Sequence, residues 1–250
     1  MSPVRSPVVA HSRLAGPAEG PGAPVSKPPM RWEVAVRKTV GEGPNPFDLD
    51  LAFRSDASRL VLFGPSGSGK SLTLKAMAGL LRPDAGRVCI DSRVLFDSAS
   101  GIDLEPGRRG IGYVFQEYAL FPHLTVRQNV GFGLLTGWRN PSRDAASERV
   151  DDWLATFGLG GCAGRYPDQL SGGQRQRTAL ARALVSEPRA LLLDEPFAAL
   201  DAPLRARLRD ELGELLVQCG LPMLLITHDE ADVDALADQM IAIDGGRAGP

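Results

Sequence analysis

The strongest constraint on the fold lies between Arg59 and Leu72, where an apolar run is followed by a glycine-rich loop and a helix-forming stretch. The loop reads GPSGSGKS and fits the pattern G-x-x-x-x-G-K-S. Its glycines let backbone N–H groups converge on a phosphate, and the helix N-terminus adds partial positive charge. A turn that contains lysine by chance is the alternative, but the strand–loop–helix order favours a nucleotide site. The residues predicted to bind the nucleotide are Gly64, Pro65, Ser66, Gly67, Ser68, Gly69, Lys70, Ser71 and Leu72.

A second apolar run supplies the acidic partners of this loop. Lys70 is predicted to reach the β- and γ-phosphates, and the Ser71 hydroxyl to ligate Mg²⁺. Asp194 ends the run ALLLD, at the carboxyl end of a predicted strand, where ligands bind in parallel α/β sheets. Its carboxylate would hold Mg²⁺ through water, and Glu195 would polarise the attacking water. A solvated Asp-Glu turn is the alternative, and the intact phosphate loop favours the catalytic interpretation.

Strand-like and helix-like stretches alternate along most of the chain. RLVLFG, ALLLDE and MLLITH are apolar and strand-length, and MRWEVAVRK alternates like a half-buried strand. A predicted helix between the second and third runs has an apolar face formed by Leu204, Leu208, Leu212 and Leu215. Such strand–helix–strand units predict a parallel sheet covered by helices. Residues 116–187 interrupt this order with turn signals and helix-like pieces, so we expect a helical subdomain inserted there.

Composition places the chain among ordinary globular proteins. Hydrophobic residues make up 43% and the formal charge is −2, so no nucleic-acid partner is predicted. Residues 1–29 are rich in Pro and Gly and predict a disordered tail, with Met30 as an alternative start, and residues 30–250 predict one domain. The three cysteines are far apart and predict buried or half-buried thiols in a reducing cytosol. No apolar run approaches the roughly 18 residues that cross a bilayer.

The stretch QLSGGQRQRTALARAL has the form of a second anion site, without a lysine of its own. Ser171 is a good N-cap, the glycines expose backbone N–H groups, and a buried stripe follows on the helix. The residues predicted for that stripe are Ala179, Leu180, Ala183 and Leu184. Because one loop binds one nucleotide, this second loop is predicted to face a nucleotide held by another copy of the chain. A two-fold, head-to-tail pair would then enclose two ATP molecules.

LSGGQ, at Leu170 to Gln174, resembles the signature motif of ATP-binding cassette (ABC) proteins, and it stands between GPSGSGKS and LLLDEP as in that family. The resemblance covers residues 31–245. It implies a P-loop NTPase (RecA-like) α/β core with a parallel sheet, a small antiparallel β subdomain and the inserted helical subdomain. It also implies that Gln116 ligates the metal and joins it to a transmembrane partner, and that His228 contacts the γ-phosphate. The signature residues implied to contact nucleotide are Ser171, Gly172, Gly173 and Gln174, together with Asp201 at the dimer interface.

The segments FQEYALFPHLTVRQNV and RYPDQLSGGQRQRTALARAL are similar to those of bacterial importer ATPases. The resemblance implies a homodimer at the cytoplasmic face of the membrane that drives permease subunits, with a periplasmic or extracellular solute-binding protein acting indirectly. Residues 117–125 would border the groove for the coupling helix of the permease. Tyr118, Leu120, Phe121 and Pro122 form an apolar patch that either docks this helix or packs within the subdomain.

VLFDSASGIDLEPGRRGIGYVFQ, Val94 to Gln116, resembles the molybdate importer ATPases, with sulfate and polyamine importers as near relatives. Molybdate is therefore the predicted solute, with sulfate, polyamine or another small solute as the alternative. A nucleotide-gated assembly module without transport is a further alternative. Phe47 is the aromatic residue nearest the phosphate loop on its N-terminal side and is assigned either to adenine stacking or to the core.

Overall fold

The computed structural model describes residues 31–42, 45–135, 141, 147–198 and 200–249. The tail predicted at residues 1–29 and the alternative start at Met30 lie outside the described residues. The strands are β1 (Trp32–Val40), β2 (Phe47–Ser55), β3 (Arg59–Phe63), β4 (Ala85–Ile90), β5 (Arg93–Asp97), β6 (Ile102–Asp103), β7 (Ile111–Val114), β8 (Ala190–Asp194), β9 (Met223–Thr227), β10 (Gln239–Asp244) and β11 (Arg247–Ala248). The α-helices are α1 (Lys70–Ala78), α2 (Pro106–Arg109), α3 (Val126–Phe132), α4 (Glu148–Thr156), α5 (Gly172–Leu184), α6 (Ala202–Cys219) and α7 (Glu230–Leu236).

One sheet is antiparallel and has the strand order β2-β1-β4-β5-β6. Strand β1 alternates along its length, so that Trp32, Val34 and Val36 are buried, as the pattern WEVAV predicts. These side chains share one core with Leu60 and Leu62 of the second sheet. This sheet is the small antiparallel part of the predicted fold.

The second sheet has the order β11-β10-β3-β9-β8-β7, and all its pairings are parallel except that of β10 with β11. Strands β8 and β9 are buried at every position, which is why they read as continuous apolar runs rather than alternating ones. The register places Phe63 opposite Thr227, and Asp194 opposite Ile226. The carboxyl ends of β3, β8 and β9 therefore lie together at one edge, and the loops after them form the candidate site.

The helices between residues 116 and 187 surround a separate apolar cluster that includes Val126, Val130, Leu154 and Ala181. The four predicted stripe residues of α5 are all buried. The α/β fold class with its parallel sheet, antiparallel sheet and helical part is confirmed, and the subdomain limits at 116 and 187 stay a prediction. The predicted apolar face of α6 is confirmed, because Leu204 and Leu215 are half-buried and pack with the buried Leu208 and Leu212 against one cluster, which Leu216 also joins. One detail was wrong: Cys219 is exposed, unlike the buried Cys89 and Cys162.

Candidate functional site

The loop from Gly64 to Ser71 joins the end of β3 to the start of α1. Gly69 precedes the helix with φ 99°, a left-handed conformation that a side chain disfavours. At Gly64 the chain passes so close to β10 that a Cβ would lie 2.0 Å from the Ile243 carbonyl oxygen. The first backbone hydrogen bond of the helix runs from the Thr73 N–H to the Gly69 carbonyl at 3.0 Å. The amides that precede Thr73 are therefore the open donors of a helix N-terminus, which is the arrangement an anion requires.

Lys70 is the first helical residue and is only 4% exposed. Its Nζ donates to the carbonyl oxygens of Gly64 at 2.7 Å and Pro65 at 2.8 Å, so the side chain curls back over the loop. Burial is the largest cause of its lowered pKa, and Glu195 and Asp194 act in the opposite direction. The ammonium group is thus held where the loop curves, as the sequence predicts for a phosphate-binding lysine.

Ser71 and Asp194 meet across the edge of the sheet. The Ser71 hydroxyl donates to Asp194 Oδ1 at 2.9 Å, and the Tyr113 hydroxyl donates to Asp194 Oδ2 at 3.0 Å. Burial, followed by Asp194, raises the pKa of Tyr113, so the phenol stays protonated and acts as the donor. Mg²⁺ in nucleotide sites is held by one or two carboxylates plus substrate phosphates, and this hydroxyl–carboxylate pair beside a phosphate loop fits that pattern. The described residues contain no cluster of three His, Cys, Asp or Glu that would hold a metal by itself.

Glu195 and His228 are brought together by the parallel pairing of β8 with β9. The His228 Nδ1 lies 3.2 Å from Glu195 Oε1, and the Glu195 N–H donates to the Ile226 carbonyl at 3.1 Å. Glu195 has φ 44°, a left-handed backbone that turns the chain sharply at the strand end. The two side chains line one small cleft of about 70 Å³. Gln116, two residues after β7, is exposed and makes no hydrogen bond within the described residues.

Ser171 and Gln174 form a capping box at the start of α5. The Gln174 N–H donates to Ser171 Oγ at 3.3 Å, and the Ser171 N–H donates to Gln174 Oε1 at 3.0 Å. Gly172 and Gly173 also have a packing role, because a Cβ on Gly173 would lie 3.3 Å from Leu204 of α6. No hydrogen bond or ion pair in the described part of the chain joins residues 171–174 to residues 64–72. Helix α5, which this loop begins, contacts α3, α4 and β7.

Asp201 begins α6, and its carboxylate accepts from the Leu204 N–H at 3.0 Å as an N-cap. Phe47, at the start of β2, is half-buried, and its ring would lie 3.1 Å from a Cβ on Gly69. It packs against the core beside the phosphate loop. The packing favours a core role for Phe47 and leaves its contact with adenine a prediction.

A larger cleft of about 480 Å³ lies between β7, α3 and α5, and Phe115, Phe121 and Phe132 line it. The apolar patch predicted for docking is only partly correct. Leu120 and Phe121 are half-buried and Pro122 is exposed, but Tyr118 is 6% exposed and packs in the core. Its burial follows from a left-handed turn, with φ 62° at Tyr118, whose carbonyl accepts from Arg182 Nη2 at 2.7 Å.

Sequence reasoning missed three polar residues around the site: Tyr113, Arg205 and Arg209. Tyr113 lies opposite Leu192 in the β7–β8 pairing and so shares a face with Asp194, two residues further on. Arg205 and Arg209 stand on α6 and contact the loop that carries His228. The alternation of IGYV could have indicated the first, because Tyr113 and Val114 must point to opposite faces.

A lysine-bearing phosphate loop, a serine–aspartate pair and a glutamate–histidine pair at one edge of a parallel sheet define a nucleotide-binding protein of the P-loop class. The family model described as ABC transporter matches residues 48–198. The chain belongs to the ABC transporter family.

Relatives of known name agree with this family. The chain is 45% identical over 218 residues to a sulfate/thiosulfate import ATP-binding protein of Caulobacter vibrioides, which covers 85% of the chain and 61% of the relative. It is 45% identical over 202 residues to a molybdenum import ATP-binding protein of Rhodospirillum rubrum, covering 80% and 53%. It is 45% identical over 214 residues to an Fe(3+) ions import ATP-binding protein of Pseudomonas fluorescens, covering 85% and 58%. The chain thus spans little more than half the length of these relatives.

The fold also matches a solved structure, a dimeric post-hydrolysis state of the ATP-binding cassette MJ0796 bound to ADP and Pi. The TM-score is 0.73 at 29% identity, over 88% of this chain and 97% of the other. Together with the family match, this likeness confirms the resemblance to ABC proteins that LSGGQ and its neighbouring motifs indicate.

Proposed function

We propose that the chain is the ATP-hydrolysing subunit of a bacterial ABC importer and that it dimerises on ATP to drive a membrane permease. The observation that carries this proposal is the arrangement at the sheet edge. Lys70 is held over the phosphate loop by its bond to the Gly64 carbonyl, and Ser71 donates to Asp194 at 2.9 Å. Glu195 lies 3.2 Å from His228 at the next strand end. These are the groups that phosphoryl transfer to water requires: a cation, a metal-binding pair and a carboxylate that orients water.

Each side chain has a distinct role in this proposal. Ser71, Asp194 and Gln116 would hold Mg²⁺, which neutralises charge on the phosphates when bound. Lys70 stabilises the negative charge that develops on the transferred phosphoryl group. Glu195 orients the attacking water, and His228 both holds Glu195 in place and donates toward the γ-phosphate.

The second half of each site would come from the other copy. Ser171 is exposed at the N-terminus of α5, and among the described residues it makes no hydrogen bond to the phosphate loop of its own chain. It is therefore available to a partner. Asp201 is exposed at the start of α6, on the loop that follows Glu195. The solved cassette that the chain resembles was dimeric with ADP and Pi, which supports a nucleotide-bound pair. In that pair Ser171 to Gln174 would complete the cradle, with Asp201 at the contact.

The test is the substitution Glu195→Gln, which keeps the size of the side chain and removes its charge. We expect hydrolysis to fall by about 10²–10³-fold, since a group that acts on the transition state is lost, while ATP still binds. The trapped ATP should then make the variant dimeric in size-exclusion chromatography with MgATP. Glu214→Gln, an exposed position on α6, is the matched control and should stay active and release its dimer after turnover. A Glu195→Gln protein that stays monomeric at saturating MgATP contradicts the shared site.

For the transported solute we propose molybdate, because the segment Val94 to Gln116 resembles molybdate importer ATPases and one relative of 45% identity is a molybdenum import protein. Sulfate is the second candidate, because a sulfate/thiosulfate import protein is equally identical. Deletion of the coding sequence in its host should lower the activity of molybdenum enzymes, and added molybdate should restore it. Sulfur starvation that added cysteine relieves would assign the subunit to sulfate.

The cleft beside Phe121 and Phe132 is the proposed contact for the coupling helix of the permease. It is apolar, and Phe115, which precedes Gln116 in the chain, lines it. Within the described residues no helix has both the length and the apolar character needed to cross a membrane. The importer resemblance supports the cytoplasmic face as the proposed location, where the chain would be held by its permease, and a solute-binding protein on the far side would act only through that permease.

A further inference from the structure

The two neighbours of His228 in the chain, Thr227 and Asp229, are linked through the hydroxyl group of Thr227. The Thr227 hydroxyl donates to Asp232 Oδ2 at 2.7 Å and accepts from the Asp229 N–H at 3.0 Å. Thr227 and Asp232 are 2% and 3% exposed, so these contacts are sheltered from water. The loop that presents His228 is thus tied on both sides to the start of α7.

Arg209 of α6 completes this connection from outside the loop. Its Nε and Nη2 donate to Asp232 Oδ1 at 2.9 and 2.6 Å, so both carboxylate oxygens of Asp232 are occupied. The same guanidinium lies 6.0 Å from the ring centroid of Phe197, two residues after Glu195. Arg209 therefore binds Asp232, which anchors the His228 loop, and also lies over Phe197 in the loop that follows Glu195.

Arg205 lies one helical turn before Arg209 and also connects the loop that carries His228 with the loop that follows Glu195. Its Nη1 donates to Asp229 Oδ2 at 2.9 Å, and its Nη2 donates to the Leu200 carbonyl at 3.0 Å. Asp229 follows His228 directly, and Leu200 belongs to the loop that leads from Glu195 to Asp201. Arg205, Thr227 and Asp232 also line the same small cleft as Glu195 and His228.

We propose that Arg205 and Arg209 form an arginine clamp: positioning residues on α6 that hold the His228 loop against the Glu195 loop. The clamp fixes the 3.2 Å approach of His228 Nδ1 to Glu195 Oε1 without touching either side chain. Asp201 caps the start of α6 and lies at the proposed contact between two copies. A shift of α6 at that contact would therefore move the His228 loop and the Glu195 loop together. The inference rests on the proposed hydrolysis at Glu195 and His228, and it assigns to α6 the control of their geometry.

The first test uses the same substitution at two positions of one helix. Arg205→Lys keeps the charge, but a single ammonium group cannot replace both arms of the fork. Arg207→Lys is the control, because Arg207 is 70% exposed and its partner among the described residues is Glu211 on its own helix. We expect kcat per bound nucleotide to fall about tenfold or more in Arg205→Lys, since small displacements of reacting groups are costly. KM and ATP affinity should be unchanged, and Arg207→Lys should match the unmodified chain.

Thr227 gives a second, sterically conservative pair. Thr227→Val removes the hydroxyl at nearly constant volume, and Thr227→Ser keeps it. We expect Thr227→Val to lower kcat in the same way and Thr227→Ser to restore most of it. A loss of stability alone would reduce the number of nucleotide-binding sites, which is measured separately, and would leave kcat per bound nucleotide unchanged.

A spectroscopic readout tests the clamp in the nucleotide-free protein. The chain has three histidines, so the imidazole Hε1 resonance of His228 can be resolved and followed by NMR. We expect Arg205→Lys and Thr227→Val to shift or broaden this resonance, while that of His123, which packs beside Phe121, stays in place. Unchanged His228 resonances and unchanged kcat in both variants would overturn the clamp. Failure of the unmodified chain to hydrolyse ATP would instead overturn the proposed function, and the NMR result would still decide the clamp.

Discussion

The N-termini of α1 and α5 both look like anion sites, but they are built in opposite ways. Helix α1 starts after Gly69, which offers no side chain to cap it, so its first amides need an external acceptor. Helix α5 starts after Ser171, where the capping box satisfies the amides of Ser171 and Gln174 inside the chain. Lys70 is 4% exposed, whereas Ser171 is exposed. We therefore expect the first terminus to bind a phosphate by itself, and the second, which is preformed, to add to a phosphate held elsewhere.

The largest combined effect, on both ATP affinity and turnover, is expected at the α1 side. Lys70→Met removes the buried ammonium, which is a charged donor to phosphate. ATP affinity should fall about tenfold to a hundredfold, because hydrogen bonds to charged groups contribute about 1.5–3 kcal/mol. Turnover should fall further, by about 10²–10³-fold. Binding of a fluorescent ATP analogue and steady-state phosphate release measure the two effects, and an unchanged affinity would refute the assignment of Lys70.

At the α5 side we expect turnover and affinity to separate. Ser171→Arg should abolish hydrolysis, because a long cation replaces the small hydroxyl at the predicted contact, while ATP affinity stays close to that of the unmodified chain. A loss of affinity comparable with that of Lys70→Met would place the α5 loop in the cradle of its own chain.

Mixing the two variants sharpens the comparison. A dimer of one Lys70→Met chain with one Ser171→Arg chain contains one site with an intact Lys70 and an intact Ser171 from the other copy. Hydrolysis should therefore reappear on mixing two inactive proteins, and its dependence on their ratio should pass through a maximum at equal amounts. Mixtures that stay inactive would mean that the two loops do not share a nucleotide.

The comparison also shows where sequence reasoning succeeds. The α1 and α5 loops could be predicted because their residue types act locally: glycine before a helix, serine as a cap, lysine after a strand. The positions of Asp194, Glu195 and His228 at one edge followed from parallel strand pairing, which apolar runs predict well.

The missed contacts depend on register or on long-range packing. The alternation of IGYV indicates the face of Tyr113, but Tyr113 reaches Asp194 because it pairs with Leu192, and that register is not given by a local pattern. Arg205 and Arg209 belong to no local motif, and they bind two acidic residues that follow β9 in the fold. For Tyr118 the sequence left docking and internal packing as alternatives, because the left-handed backbone that directs its side chain into the core is rare for an aromatic residue.

The smallest predicted effect concerns the metal pair on the α1 side. Tyr113→Phe removes the donor to Asp194 Oδ2 and leaves the Ser71 contact as the hydrogen bond that orients this carboxylate. We expect the Mg²⁺ concentration needed for half-maximal ATP binding to rise about threefold to tenfold, from a loss of about 1 kcal/mol of orientation. Tyr118→Phe is the matched control, because the Tyr118 hydroxyl is buried without a hydrogen-bond partner among the described residues. Titration with a fluorescent nucleotide at varied Mg²⁺ measures the Mg²⁺ requirement of Tyr113→Phe and of Tyr118→Phe. An equal requirement in both variants would show that Tyr113 does not position Asp194.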